Sequence, residues 1–213
     1  MSACCDQQDE PVFIGDSPAF RRALWMVIAI NGVMFAVELI AGISAGSMAL
    51  QADSLDFLGD SATYALSLFV LTRPPRWRAN AALFKGATLG MLGLWVLSTT
   101  VWRVFVTGVP HAMVMGGVGL LALAANVTSV LILLRYRNGD ANVRSVWLCS
   151  RNDAIGNIAV MVAAAGVWLT GTAWPDLLVA AAMATIFLYS AVQILRHAIS
   201  DWRQAEAPPA PAE

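Results

Sequence analysis

Residues 49–72 read "ALQADSLDFLGDSATYALSLFVLT", a run apolar enough for a membrane span that nevertheless holds Asp53, Asp56 and Asp60. On an α-helix these positions fall at i, i+3 and i+7, so successive turns bring the three carboxylates within an arc of about 60° on one face. A charged side chain in hydrocarbon costs about 2.5–3.5 kcal/mol on insertion scales, so such groups face a bundle interior or a wet cavity and mark an ion or proton path. A single aspartate could serve as a structural ion-pair partner. Three on one face point to a polar interior within a helical membrane bundle.

The rest of the chain agrees. Of 213 residues, 58% are hydrophobic and 13% charged, and the mean hydropathy is +0.66, well outside the range of soluble domains. Six apolar stretches, near 23–42, 49–72, 83–106, 112–134, 146–169 and 177–195, are each long enough to cross about 30 Å of hydrocarbon. Their apolar runs are continuous rather than alternating, which excludes a closed β-barrel and leaves helices. The fold class is an all-α membrane protein of six transmembrane helices. The net charge of −1 gives no basic stripe for a nucleic-acid partner. Three cysteines, Cys4, Cys5 and Cys149, make no disulfide framework.

Sidedness follows from the cations. Eleven of the 13 Lys and Arg residues lie on one side: Arg21 and Arg22 before the first span, Arg73, Arg76, Arg78 and Lys85 between the second and third, Arg135, Arg137 and Arg144 between the fourth and fifth, Arg196 and Arg203 after the sixth. The opposite connections, around Ala45, Pro110 and Thr172, carry none. The positive-inside rule then puts both termini in the cytoplasm. Residues 1–20 are expected to be a disordered tail, 21–199 the transmembrane transport domain, and 200–213 a short cytoplasmic C-terminal tail. Arg103, near the outer end of span three, is expected to snorkel to that surface. Arg151 in span five either neutralises a carboxylate such as Glu38 or snorkels to the cytoplasmic surface.

Span five holds a second polar stripe, "CSRNDAIGN", where Cys149, Asn152, Asp153 and Gly156 share a face and Asn157 flanks it one turn beyond Asp153. Asp56-xxx-Asp60 and Cys149-xxx-Asp153 each set two donor atoms one turn apart, the spacing that lets one helix give two ligands to one cation. Two such helices side by side make a four-ligand cage, and Gly156 would let them approach closely. Three carboxylates and a thiolate suit Zn²⁺ and its softer relatives, whereas an all-oxygen cage would suit Mg²⁺, Ca²⁺ or Mn²⁺. Cys149 on its own could equally pack as a small hydrophobe. Asn31 and Glu38, at i and i+7 of span one, either extend a hydrated path or hydrogen-bond a neighbouring helix. Asn126 reads as an interhelical hydrogen bonder, and His111 as a solvated residue or an outer metal contact. Gly86-xxx-Gly90 offers a small-residue face for close helix packing or dimerisation.

The stretch "FAVELIAGISAGSMALQADSLDFLGD" resembles the first two helices of the cation diffusion facilitator family, in which a Glu and a Gly precede Ser-x-Ala-Leu-x-Ala-Asp and then His/Asp-xxx-Asp. The matching positions are Glu38, Gly42, Ser47, Ala49, Leu50, Ala52, Asp53, Asp56 and Asp60. "CSRNDAIGNIAV" is similar to that family's span-five His-xxx-Asp motif, with Cys149 at the His position and Asp153 at the Asp, and 174–199 is similar to its sixth helix, with Asp176 at the outer end. The resemblance covers roughly residues 23–199. It implies a proton-coupled antiporter exporting divalent transition-metal cations, Zn²⁺ first with Cd²⁺ or Co²⁺ as alternatives, in an integral multi-pass protein of a bacterial inner membrane. It also implies a homodimer, with the metal held by Asp56, Asp60, Cys149 and Asp153, and with Asp53, Glu38, Asn31, Asn152 and Asn157 as second-layer or pathway residues. Two departures stand out: Cys149 replaces the usual His, and the cytoplasmic domain that most members carry after span six is not in this sequence.

Crowded carboxylates in a partly dry site cannot all ionise, so protons should occupy the site without metal and be displaced by it. No cofactor other than the transported ion is expected, and the chain is not read as an enzyme. Two rivals remain at this level. A membrane-embedded phosphotransferase would also hold Mg²⁺ on Asp-xxx-Asp, although the Asp-Gly and Ala-Arg elements of such enzymes are absent. A metal-sensing membrane protein would need an output domain.

Overall fold

The computed structural model describes residues 17–70, 75–106, 108–136 and 141–206, with the side chains of 67, 70, 75, 76, 78, 79, 141–152 and 201–206 outside the described ones. It contains six long helices: α1 (Pro18–Ala45), α2 (Met48–Val70), α3 (Pro75–Phe105), α4 (Ala112–Leu133), α5 (Ala141–Thr170) and α6 (Trp174–Glu206), with a 3₁₀ turn at Leu134–Tyr136 after α4. Among the described residues there is no strand. The helices outrun the apolar stretches, most clearly where α6 continues to Glu206. Backbone hydrogen bonding does not stop where hydrophobicity does. Residues 18–20 likewise belong to α1, because Ser17 caps it: the Ser17 hydroxyl accepts from Phe20 N at 3.1 Å and Pro18 follows at the first helical position.

Five of the six helices are long and apolar enough by themselves to cross a membrane. The exception is α2, because Asp53, Asp56 and Asp60 lower its apolar character along its whole described length. Its place in the bundle is set by its neighbours. α1 packs on α2 and α4, α4 packs on α5, and α2 meets α5, which closes a four-helix ring. The α3–α6 pair packs tightly on itself and lies against α2 and α5. Glycines make that pair close: a Cβ on Gly86 would fall 2.8 Å from Leu195 Cγ, and one on Gly93 3.1 Å from Leu188 Cγ. The small-residue face of Gly86 and Gly90 is therefore spent within the chain, against α6.

Which residues face outward identifies the solvent. Ile40, Phe84, Trp102, Trp168 and Leu169 are each about 70% exposed, whereas Asn31, Glu38, Asp53, Asn126, Asn157 and Asp176 are at most 2% exposed. The buried apolar set mixes alanines such as Ala49, Ala52, Ala122, Ala180 and Ala184 with larger groups such as Leu50, Phe57 and Phe187. Large apolar groups facing outward around buried carboxylates and carboxamides is the inverse of a water-soluble surface and matches a bundle dissolved in lipid. The chain is a multi-pass membrane protein.

The α1–α2 turn is tightly built. Gly46 adopts φ +68°, and Ser47 N donates to Gly42 O at 2.9 Å, which closes the end of α1. Gly42 is required by proximity, since a Cβ there would lie 3.0 Å from Gln51 N. The first turn of α2 is then capped twice. Leu50 N donates to the Ser47 hydroxyl at 3.1 Å, and Asp176 reaches across from the start of α6 to accept from the Ser47 hydroxyl (2.6 Å), Met48 N (2.8 Å) and Ala49 N (3.0 Å). One buried carboxylate thus fixes the start of the aspartate-bearing helix against the α3–α6 pair. Arg103 serves the same corner. Its charge acts on Asp176, and its Nη1 would lie 3.6 Å from a Cβ on Gly46, so it turns into the protein rather than simply out to the surface.

Candidate metal centre

α2 sits between α1, α5 and the α3–α6 pair, so its polar stripe looks into the bundle. Asp53 is buried, whereas Asp56 and Asp60 are half-buried. Phe57, Leu55 and Tyr64 pack in the core around them. Tyr64, one turn beyond Asp60, donates its hydroxyl to Asp60 Oδ2, which fixes that carboxylate while leaving Oδ1 for another partner. On α5, Asp153 lies within interaction range of both Asp56 and Asp60. The structure therefore brings together three of the four residues that spacing assigned to a metal. It places Cys149 and Asn152 on the same helix, but their side chains lie outside the described ones. Among the described residues, no three His, Cys, Asp or Glu side chains form a closed metal-holding group on their own.

The remaining candidates divide. Glu38 faces Asp53 across the α1–α2 contact, and both feel the charge of Asp56. Asn157 is fully buried, and among the described residues neither of its side-chain polar atoms has a partner; Asn31 Oδ1 and Asn126 Nδ2 are likewise buried without one. Asn126 is thus not the interhelical hydrogen bonder anticipated through that nitrogen. His111 is exposed, and its backbone N–H ties α4 to α1 by donating to Ala45 O at 3.0 Å. Gly156 does not mediate close approach: a Cβ there would meet no described heavy atom within 4 Å. The α2–α5 contact is loose at this level because carboxylates, which demand solvent or an ion, face the gap.

Two residues near the stripe escaped the sequence reading. Tyr64 had a signal, since i+4 from Asp60 shares its face. Lys85 had a misleading one: grouped there with the cytoplasmic connection, it lies well inside α3 and its charge acts on both Asp56 and Asp60. It lines a groove of about 140 Å³ between α2 and α3, with Leu58, Gly59, Ala62, Thr63 and Thr88 among its neighbours.

Residues 24–201 match the sequence profile of the cation efflux transmembrane domain. The chain belongs to the cation efflux family. Among curated relatives, it is 24% identical over 200 residues to the metal cation efflux system protein CzcD of Cupriavidus metallidurans, covering 85% of this chain and 63% of that protein. It is 25% identical over 206 residues to the zinc transporter ZitB of Yersinia pestis (89% and 64%). It is 23% identical over 188 residues to a cadmium, cobalt and zinc/H(+)-K(+) antiporter of Bacillus subtilis (81% and 60%). The chain spans about three fifths of the length of these relatives.

Proposed function

We propose that this cation efflux protein is a transporter rather than an enzyme and exports divalent transition-metal cations from the cytoplasm in exchange for protons, with Zn²⁺ as first substrate. The observation that carries the reading is the convergence of Asp153 on Asp56 and Asp60 from a separate helix. The relatives' names, which include zinc, cadmium and cobalt, support the cation class. In this reading Asp56, Asp60 and Asp153 give oxygens and Cys149 gives sulfur. The ion is cargo, and no resident cofactor is needed. The assembly is a homodimer in the bilayer.

The chemistry follows from crowding. Three carboxylates facing one gap repel one another and hold protons when no cation is there; a divalent ion replaces those protons on the same oxygens. Tyr64 keeps Asp60 oriented through the exchange, and Lys85 supplies a fixed positive charge that opposes overly tight retention of the ion. Rocking of the bundle between two openings then carries metal one way and protons the other.

Calorimetric Zn²⁺ titration of the purified protein tests the site. Asp153→Asn and Asp60→Asn should each weaken binding about 10-fold or more, since a ligand is lost with little change in shape. Wild-type affinity in both variants would remove these residues from the metal centre.

A further inference from the structure

Glu38 is fully buried on α1, and among the described residues neither of its carboxyl oxygens makes a hydrogen bond of ordinary geometry, although Asp53 comes close enough to act on it. The group it faces is Asp53, 2% exposed, whose Oδ2 is also without a partner. The α1–α2 register makes this pairing unavoidable: Gly42 lies against Leu50 and Gln51, and the Ser61 hydroxyl donates to Ile28 O at 3.4 Å, which sets residue 38 opposite residue 53. Among the described residues no positive charge compensates the pair: on α5, which packs against α2, Asp153 faces Asp56 and Asp60, and the Arg151 side chain lies outside the described ones. The elements packed on α1 are α2 and α4. α4 contains no charged residue between Ala112 and Leu133, and on α2 the other charges are Asp56 and Asp60. The basic residues of α1 itself, Arg21 and Arg22, lie at its far end. Arg103 acts on Asp176 instead, and Lys85 on Asp56 and Asp60.

Two ionised carboxylates in such a place would each carry a desolvation cost that no described positive charge offsets. One shared proton resolves both: the protonated carboxyl becomes a donor and the other oxygen accepts. We propose that Glu38 and Asp53 form a proton-binding pair, separate from the metal centre, that holds one of the protons exchanged for the cation. The proposal rests on the antiport reading for its role in transport, while the pair itself stands on its own geometry.

A route for the proton is built into the same face. Asn31 precedes Glu38 by seven residues on one side of α1. The α1–α4 register, set by the His111–Ala45 hydrogen bond and the packing of Met34 on Ala122, brings Asn126 level with Asn31. Their buried polar atoms, unpartnered among the described residues, would line the exit of the proton. When a divalent cation arrives at Asp56, one turn from Asp53, its charge favours the ionised pair. The O–H bond of the carboxyl breaks, the proton passes to water, and the carboxylate left behind is balanced by the cation.

The test uses the full chain in lipid nanodiscs. Infrared difference spectra between metal-free and Zn²⁺-loaded protein at neutral pH should show loss of a protonated-carboxyl C=O band. Glu38→Gln should lose one component of that band, the remainder coming from the metal-centre carboxyls, still bind Zn²⁺, and release about one proton fewer per ion into weak buffer. Asp53→Asn, a second variant should the first fail to fold, should do the same. A metal-free wild type without the band, or variants that release as many protons as the wild type, would overturn the pair. Loss of Zn²⁺ binding in both variants would make these groups ligands and overturn it too. Loss of that component in variants that bind Zn²⁺ supports the pair even where vesicles show no Zn²⁺ flux, an outcome that counts against the transport reading alone.

Discussion

Asp176 offers the sharpest structural prediction because its three hydrogen bonds divide unequally between its oxygens. Oδ1 accepts from the Ser47 hydroxyl at 2.6 Å and from Ala49 N at 3.0 Å, while Oδ2 accepts from Met48 N at 2.8 Å. Truncation to alanine orphans two amide donors of the first turn of α2, and a buried donor left unpaired costs about 1–3 kcal/mol. Hydrogen bonds in lipid lie at the low end, averaging about 0.6 kcal/mol in membrane helices. Asp176→Ala should therefore destabilise the protein by about 2–4 kcal/mol. Asp176→Asn should cost about 1 kcal/mol, because a carboxamide oxygen in the Oδ1 position keeps two bonds while its NH₂ can only oppose Met48 N. Denaturation by sodium dodecyl sulfate, followed through the fluorescence of the eight tryptophans, measures both. Equal losses in the two variants, or a loss below about 0.5 kcal/mol for alanine, would refute the capping account.

Metal affinity should fall as pH falls, since protons and metal compete for the same carboxylate oxygens and acid loads the competitor; binding isotherms at several pH values check the sign. Cys149→Ser should weaken Cd²⁺ most, then Zn²⁺, Co²⁺ and Mn²⁺, and Cys149→His should restore Zn²⁺, because thiolate favours soft cations and imidazole suits zinc; a uniform response across the four ions would make Cys149 a packing residue. Single cysteines introduced at Arg76 and Arg137 should resist an impermeant reagent added outside intact cells, as expected from the cation asymmetry.

The helical architecture was legible because lipid leaves the backbone little choice: continuous apolar runs became α1, α3, α4, α5 and α6, and the carboxylate stripe marked α2 as the one helix that needs company. That the aspartates turn into the bundle was legible for the same reason, since charge in hydrocarbon is costly. Contacts between distant helices were not. Nothing local in "WPDLL" says that Asp176 caps α2; the message lies in a fold that sets α6 beside the start of α2. Lys85 misled because a cation at the edge of an apolar run reads as a loop residue, although its helix begins at Pro75. Gly156 misled because small residues signal close packing only where no polar gap intervenes.

The central claim is that Asp60 and Asp153 hold a cation that moves against protons, and one measurement meets it directly. Purified protein in liposomes enclosing a pH-sensitive dye, challenged with a Zn²⁺ gradient, should move protons opposite to Zn²⁺ in the wild type and lose that flux in Asp60→Asn and Asp153→Asn while both variants stay folded. Undiminished Zn²⁺-driven proton flux in both variants, or none in the wild type, would contradict it.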